Sequence, residues 1–226
     1  MWGGISSELF QFNGSSVVHE DIKSSPPFGV GFRYQFNNRL RFDMTGEFRG
    51  KSLFIAQDKY PGGNGTFNRA SSDPQGQFLP RTNEYTADIE SWVGLWNAYA
   101  DLGTYFGFAP YVGTGIGVAS ISVLGLKDVN VPNGGVAHGA DNTETNFAWA
   151  AYGGVAYDVK ESVTLDLSYR YTALGEAKSG TVTAFDGTSS YAGLDLGRVT
   201  SHDLMLGMRW KLGYAPVPAP MPVAFK

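Results

Sequence analysis

Residues 28–44, FGVGFRYQFNNRLRFDM, decide the fold class. Phe28, Val30, Phe32, Tyr34 and Phe36 take every second position, with Gly29, Gly31, Arg33 and Gln35 between them. Successive side chains of a strand point to opposite faces, so this is one strand with a greasy face and a polar face. Asn37-Asn38 supply a turn. Leu40, Phe42, Met44 and Phe48 then resume the apolar face against Arg41, Asp43, Thr45, Glu47 and Arg49. The two runs form an antiparallel hairpin.

The same period recurs outward along the chain. Val163, Leu165, Leu167, Tyr169 and Tyr171 alternate with Thr164, Asp166, Ser168, Arg170 and Thr172. Leu204, Leu206, Met208, Trp210 and Leu212 alternate with Asp203, Met205, Gly207, Arg209 and Lys211. Residues 110–118 set Val112, Thr114, Ile116 and Val118 against Tyr111 and three glycines, and 147–157 set Phe147, Trp149, Val155 and Tyr157 against Ala148, Ala150, Tyr152 and Gly154. Residues 92–102 form a further strand whose two faces the pattern leaves open. That makes seven strands. Bacterial barrels close with an even number, so an eighth is expected in residues 1–12, where Trp2, Leu9, Phe10 and Phe12 are candidates, or upstream.

Connections alternate in length. Residues 37–38, 103–108 and 160–162 are short, whereas 50–84, 119–146 and 173–200 are long and polar. Long loops at one end and short turns at the other are what an outer-membrane barrel shows. The expectation is therefore all-β: an eight-stranded antiparallel up-and-down transmembrane β-barrel over residues 1–212. Residues 213–226, with Pro216, Pro218, Pro220 and Pro222, cannot join a ladder and are expected to form a periplasmic tail.

Composition agrees. Charged residues make up 17% of the chain, below the roughly 25% usual for soluble domains. A net charge of −4 gives no basic surface for nucleic acid, and the absence of cysteine excludes disulfides and thiol chemistry. No stretch approaches the ~20 apolar residues of a membrane-spanning helix. Residues 1–12 lack a basic start and a continuous apolar core, so a signal peptide is expected to have been removed.

In lipid the apolar faces must look outward and the ionic faces inward, because backbone groups without water need a closed ladder. A soluble sheet would reverse this. Phe32, Tyr34, Phe42, Leu165, Leu167, Tyr169, Leu206, Met208 and Trp210 are expected to face lipid. Arg33, Arg41, Asp43, Glu47, Arg49, Asp166, Arg170, Asp203 and Arg209 are expected to form a lumen charge network whose near-balanced signs offset part of their desolvation. Aromatics sit near both strand ends: Tyr34, Phe36, Tyr157 and Trp210 by the short turns, Phe28, Phe147, Trp149 and Tyr171 by the long loops. That spacing matches two bilayer interfaces.

Residues 26–51 (PPFGVGFRYQFNNRLRFDMTGEFRGK), 169–175 (YRYTALG) and 201–210 (SHDLMLGMRW) resemble small outer-membrane barrel proteins of alphaproteobacteria, in the broad OmpA-like membrane-domain superfamily. The resemblance covers nearly all of 26–212. It implies a location in the outer membrane with both termini periplasmic, and contact with outer-membrane lipid and lipopolysaccharide. Gly207, Trp210 and Leu212 resemble the C-terminal signal read by the barrel-assembly machinery. The tail resembles periplasmic ends that meet the cell wall or another protein.

No catalytic constellation, cofactor motif or metal-ligand spacing appears. His19 and His138 fall in expected loops. Ser201-His202-Asp203 is contiguous, which in a strand sends neighbours to opposite faces and makes a poor triad. Residues 113–117, GTGIG, have no following helix to make a phosphate loop, and their glycines are expected to leave room for bulky lumen side chains. The leading expectation is a non-enzymatic surface protein that presents long loops. A narrow channel is the alternative, and a small membrane-barrel enzyme stands third.

Overall fold

The computed structural model describes residues 2–8, 16–23, 25–37, 39–60, 81–131 and 134–210. Leu212 and the tail fall outside these residues, as do the strand candidates Leu9, Phe10 and Phe12. The described chain is all antiparallel β-structure, in the order β1 (Trp2–Glu8), β2 (Ser16–Ile22), β3 (Pro27–Gln35), β4 (Leu40–Tyr60), β5 (Arg81–Asp101), β6 (Phe108–Asn130), β7 (Gly135–Gly139), β8 (Asn142–Lys160), β9 (Val163–Lys178), β10 (Val182–Ala184), β11 (Ser190–Tyr191) and β12 (Asp195–Trp210).

Eight of the positions across this sheet are barrel strands. The ladder runs β1-β12-β9-β8-β6-β5-β4-β2, and β3 also pairs with β4. Since β2 takes the far half of β4 and β3 the near half, the two make one bent strand, broken between Ile22 and Pro27. Trp2 pairs with Leu204 and Glu8 with Arg198, so the eighth strand lies at residues 2–8, within the range the sequence left open. β1 and β2 end up side by side, with no ladder between them among the described residues. The sheet curls until opposite inner faces touch. Arg49 of β4 reaches Asp203 of β12, and Tyr152 of β8 donates to Asn97 of β5. The β3–β4 hairpin is locked by Asn37, whose Oδ1 accepts from the backbone N–H of Arg39 and Leu40 at 2.8 Å each.

The structure corrects the expected loops. Residues 50–60, 81–84, 119–130, 142–146, 173–178 and 195–200 continue the strands rather than leaving them. His19 lies in β2 and His138 in β7, not in loops. Beyond the barrel, β7, β10 and β11 extend the sheet from the end of β6, leaving a turn that carries Phe185.

The strands also change character along their length. On β5 the outward positions run Thr82, Glu84, Thr86, Asp88 and Glu90, then Trp92 and Trp96, with Trp92 63% and Trp96 69% exposed. The inward positions run Tyr85, Ala87 and Ile89, all buried, then Ser91, Val93, Leu95, Asn97 and Tyr99. The outward face thus turns from polar to apolar between Glu90 and Trp92, and the inward face turns polar a few residues later, at Asn97, while the side chains keep alternating faces. β6 does the same, from Val112, Ile116 and Val118 outside to Ala119, Ile121 and Val123 inside. β9 passes from Leu165, Leu167 and Tyr169 outside to Leu174 inside. On β4 a register shift between Arg49 and Ser52 lets Phe42 and Met44 face out but Phe54 and Ala56 face in.

Register carries this boundary around the barrel. Phe48 pairs with Trp92, Val118 with Phe147, and Tyr171 with His202. Below it the wall is apolar outside and ionic inside, as a lipid-embedded barrel requires. Above it the wall is polar outside and encloses an apolar core of Phe54, Ile89, Ile121, Leu126, Leu174, Leu196 and Val199. Burial of such side chains is what stabilises a barrel in water.

Candidate functional site

The interior of the section below that boundary holds the cluster of polar side chains that a function has to use or explain. Odd-numbered residues of β4 line it because they alternate with the outward-facing Phe42 and Met44. At its centre Asp203 is fully buried. Its Oδ1 accepts from Arg49 Nη2 at 2.7 Å, and its Oδ2 accepts from Arg170 Nη2 at 2.9 Å and Nε at 3.3 Å. Arg49 Nη2 also donates to Ser201 Oγ at 2.8 Å, and its Nη1 to the Ser25 carbonyl in the β2–β3 break at 2.9 Å. Arg170 Nη1 donates to Glu47 Oε1 at 2.5 Å. The pairing ties β4, β9 and β12 through the middle of the barrel.

Nearer the short turns, Arg33 donates through Nε and Nη2 to Asp43 Oδ2 at 3.0 and 2.6 Å. Asn97 Nδ2 donates to Asp43 Oδ1 at 2.7 Å. Arg209 Nη2 donates to Asp166 Oδ2 at 2.8 Å, and the Tyr111 hydroxyl to its Oδ1 at 2.6 Å. Arg41 lies 4.1 Å from the Tyr111 ring centroid and 5.0 Å from that of Tyr99, with Asp101 Oδ1 3.2 Å from its Nη2. A guanidinium over an aromatic face is attracted by the ring quadrupole.

Each of the nine charged residues proposed for the lumen therefore sits inside, and each has an opposite charge within 4 Å. The nine proposed lipid-facing residues all lie on the exterior, with exposures from 40% for Leu165 to 79% for Phe32. Sequence reasoning missed Asn97, Tyr99 and Asp101, because the faces of residues 92–102 stayed open. Tyr111 and Tyr152 carried a signal of their own, as lone aromatics on faces otherwise built of glycine and alanine. That spacing has a steric reason. A Cβ at Gly113 would collide with the Tyr99 ring, and one at Gly115 with the Asn97 amide. Small residues on β6 thus make space for large ones on β5.

Aromatic side chains also occupy the lumen. Tyr99, Tyr111 and Tyr152 are buried and in mutual ring contact around Tyr99, at 5.6 and 5.2 Å. The small cavity beside Asp203 is lined by Glu47, Arg49, Arg170, Thr172 and Ser201. Ser201 and Asp203 point inward while His202 is exposed outside, where its Nδ1 meets the Tyr169 hydroxyl at 2.6 Å. The three are thus not assembled as a triad. No group of three metal-ligating side chains occurs among the described residues. Gly207 lies in β12 and Trp210 is its last residue.

Above the boundary, burial pushes the Asp58 and Asp128 carboxyls up. Asp58 Oδ1 accepts from the Asn83 backbone N–H at 3.1 Å, and Asp128 Oδ2 accepts from the Tyr191 hydroxyl at 2.6 Å. The second bond ties β11 to the end of β6.

No protein-family model matches the chain. An uncharacterized protein of Brucella abortus is 30% identical over 157 residues, covering 66% of this chain and 52% of its own length. The chain thus spans about half the length of the first curated relatives it matches. The outer membrane protein PagN of Salmonella typhimurium is 30% identical over 122 residues, 50% of this chain and 46% of its own. A candidate adhesin of Rickettsia conorii is 25% identical over 201 residues, 86% of this chain and 72% of its own. Among solved structures, Neisserial surface protein A aligns over 92% of this chain and 99% of its own, at 18% identity and a TM-score of 0.39.

Proposed function

We propose that this chain is an outer-membrane anchor that holds a rigid, water-exposed barrel extension above the cell surface for contact with partners. The observation that carries this reading is the change of wall polarity between Glu90 and Trp92 and at the matching rows of the neighbouring strands. Below that line the barrel is built for lipid. Above it, strands such as β5 and β6 continue with an apolar filling, so the described residues of the projecting part form a packed surface. The similarity to PagN and to a candidate adhesin supports an exposed surface role. In this reading the short turns and both termini are periplasmic, residues 213–226 meet the cell wall or a protein, the apolar belt contacts lipid and lipopolysaccharide, and the barrel-assembly machinery reads the β12 end. A filled lumen argues against a channel: an eight-stranded interior is just wide enough for side chains to fill.

The chain has no cysteine, so single-cysteine variants report position directly. Phe185, 79% exposed on the turn between β10 and β11, is expected to label as Phe185→Cys on intact cells with a membrane-impermeant maleimide. Glu161→Cys, on the β8–β9 turn, is expected to label only after the outer membrane is opened. Labelling of Glu161→Cys alone on intact cells would reverse the orientation and remove the surface role.

A further inference from the structure

Arg33, Arg41 and Arg209 crowd the short-turn mouth of the lumen, and they are not equally satisfied. A guanidinium presents Nε–H and one Nη–H side by side, a fork that grips a carboxylate or phosphate through two parallel bonds. In this barrel the fork of Arg33 is filled by Asp43, and that of Arg170 by Asp203. The same Nε/Nη2 edge of Arg41 is empty. Both atoms are buried, and neither has a hydrogen-bond acceptor among the described residues. Asp101 Oδ1 stands 3.2 Å from Nη2 but off the line of the N–H, so it balances charge without filling the fork.

The side chain of Arg41 is 3% exposed, so bulk solvent does not supply the missing acceptors. A buried donor without a partner is destabilising, and more so when the group is charged. Arg209 Nε is a third buried donor in the same condition. Arg33 and Arg209 both lie within Coulombic range of Arg41. The Tyr99 and Tyr111 rings floor the site beneath the Arg41 guanidinium. Arg33 and Arg209, at 27% and 25% side-chain exposure, border the site on its solvent side.

We propose that this mouth is a binding site for a small oxyanion, a carboxylate or phosphate group that accepts two bonds from the Nε/Nη2 edge of Arg41 and a third from Arg209 Nε. The site is independent of the surface role, being at the opposite end of the barrel. The test is calorimetric titration of the folded protein in zwitterionic detergent micelles. Inorganic phosphate is the probe in one arm and acetate in the other. Saturable binding of at least one is expected, and which arm binds identifies the anion class. Arg41→Lys keeps the charge but loses the fork, and is expected to weaken binding at least tenfold. Arg209→Lys, which removes one donor, is expected to weaken it severalfold and decides the matter if Arg41→Lys does not refold. Absence of saturable binding in both arms, or unchanged affinity in the variants, would overturn the proposal and leave trapped water as the filler.

Discussion

Replacing Asp203 by alanine is expected to destabilise the folded barrel by about 3–5 kcal/mol, the cost of breaking a buried ion pair from one side. The carboxylate is fully buried and takes bonds from Arg49, Arg170 and Ser201. Its loss leaves two guanidinium groups in a closed interior. Arg170 keeps Glu47, but Arg49 keeps only the Ser201 hydroxyl and the Ser25 carbonyl. Asp203→Asn retains shape and one acceptor, so it is expected to cost less. Urea unfolding in lipid vesicles, followed by tryptophan fluorescence, measures both. Equal stability of wild type and Asp203→Ala would mean that the arginines have other partners.

The second large effect concerns the outer wall. Leu206→Arg is expected to cost about 2–4 kcal/mol, the range for arginine on the lipid face near the bilayer midplane. Leu206 is 67% exposed, and in a protein surrounded by water such a substitution would change stability by no more than about 0.5 kcal/mol. Thr143→Arg supplies the control. Thr143 is also exposed on the exterior, but on β8 above the Phe147 boundary, so the same charge is expected to be nearly neutral there. The contrast between two exposed positions separates a lipid-facing wall from an ordinary surface.

Much of the lipid-level section was legible in the sequence, because strict alternation over residues 28–49, 163–172 and 203–211 assigns each side chain a face. The upper half was not, and the reason is physical. Past the polarity boundary, the apolar residues move from the outer to the inner face of a strand. In residues 82–96 the polar Thr82, Glu84, Thr86 and Asp88 share their parity with Trp92 and Trp96, while Tyr85, Ala87 and Ile89 share theirs with Asn97. Hydrophobicity alone shows the period broken at that point, and a reading by period ends the strand there. The backbone continues as one strand, and only the polarity of its two faces changes. Glycines at 113 and 115 hid the lumen residues in another way, since their meaning lies in Tyr99 and Asn97 on the neighbouring strand.

The Arg41 fork could not be read from the sequence, since one-dimensional charge counting pairs it with any nearby carboxylate. Only the geometry shows that Asp101 sits off-line. The buried cluster at Asp203 was likewise visible as charges on one face but not as a hub, because its partners come from β4 and β9, more than thirty residues away in each case.

A nitroxide scan along β5 from residue 82 to 100, in lipid vesicles, tests the polarity change most directly. Even positions from 82 to 90 are predicted to be accessible to a water-soluble nickel reagent, even positions from 92 to 100 to membrane-dissolved oxygen, and odd positions to neither. Oxygen access at 85, 87 and 89, or one unchanging solvent along all even positions, would contradict it.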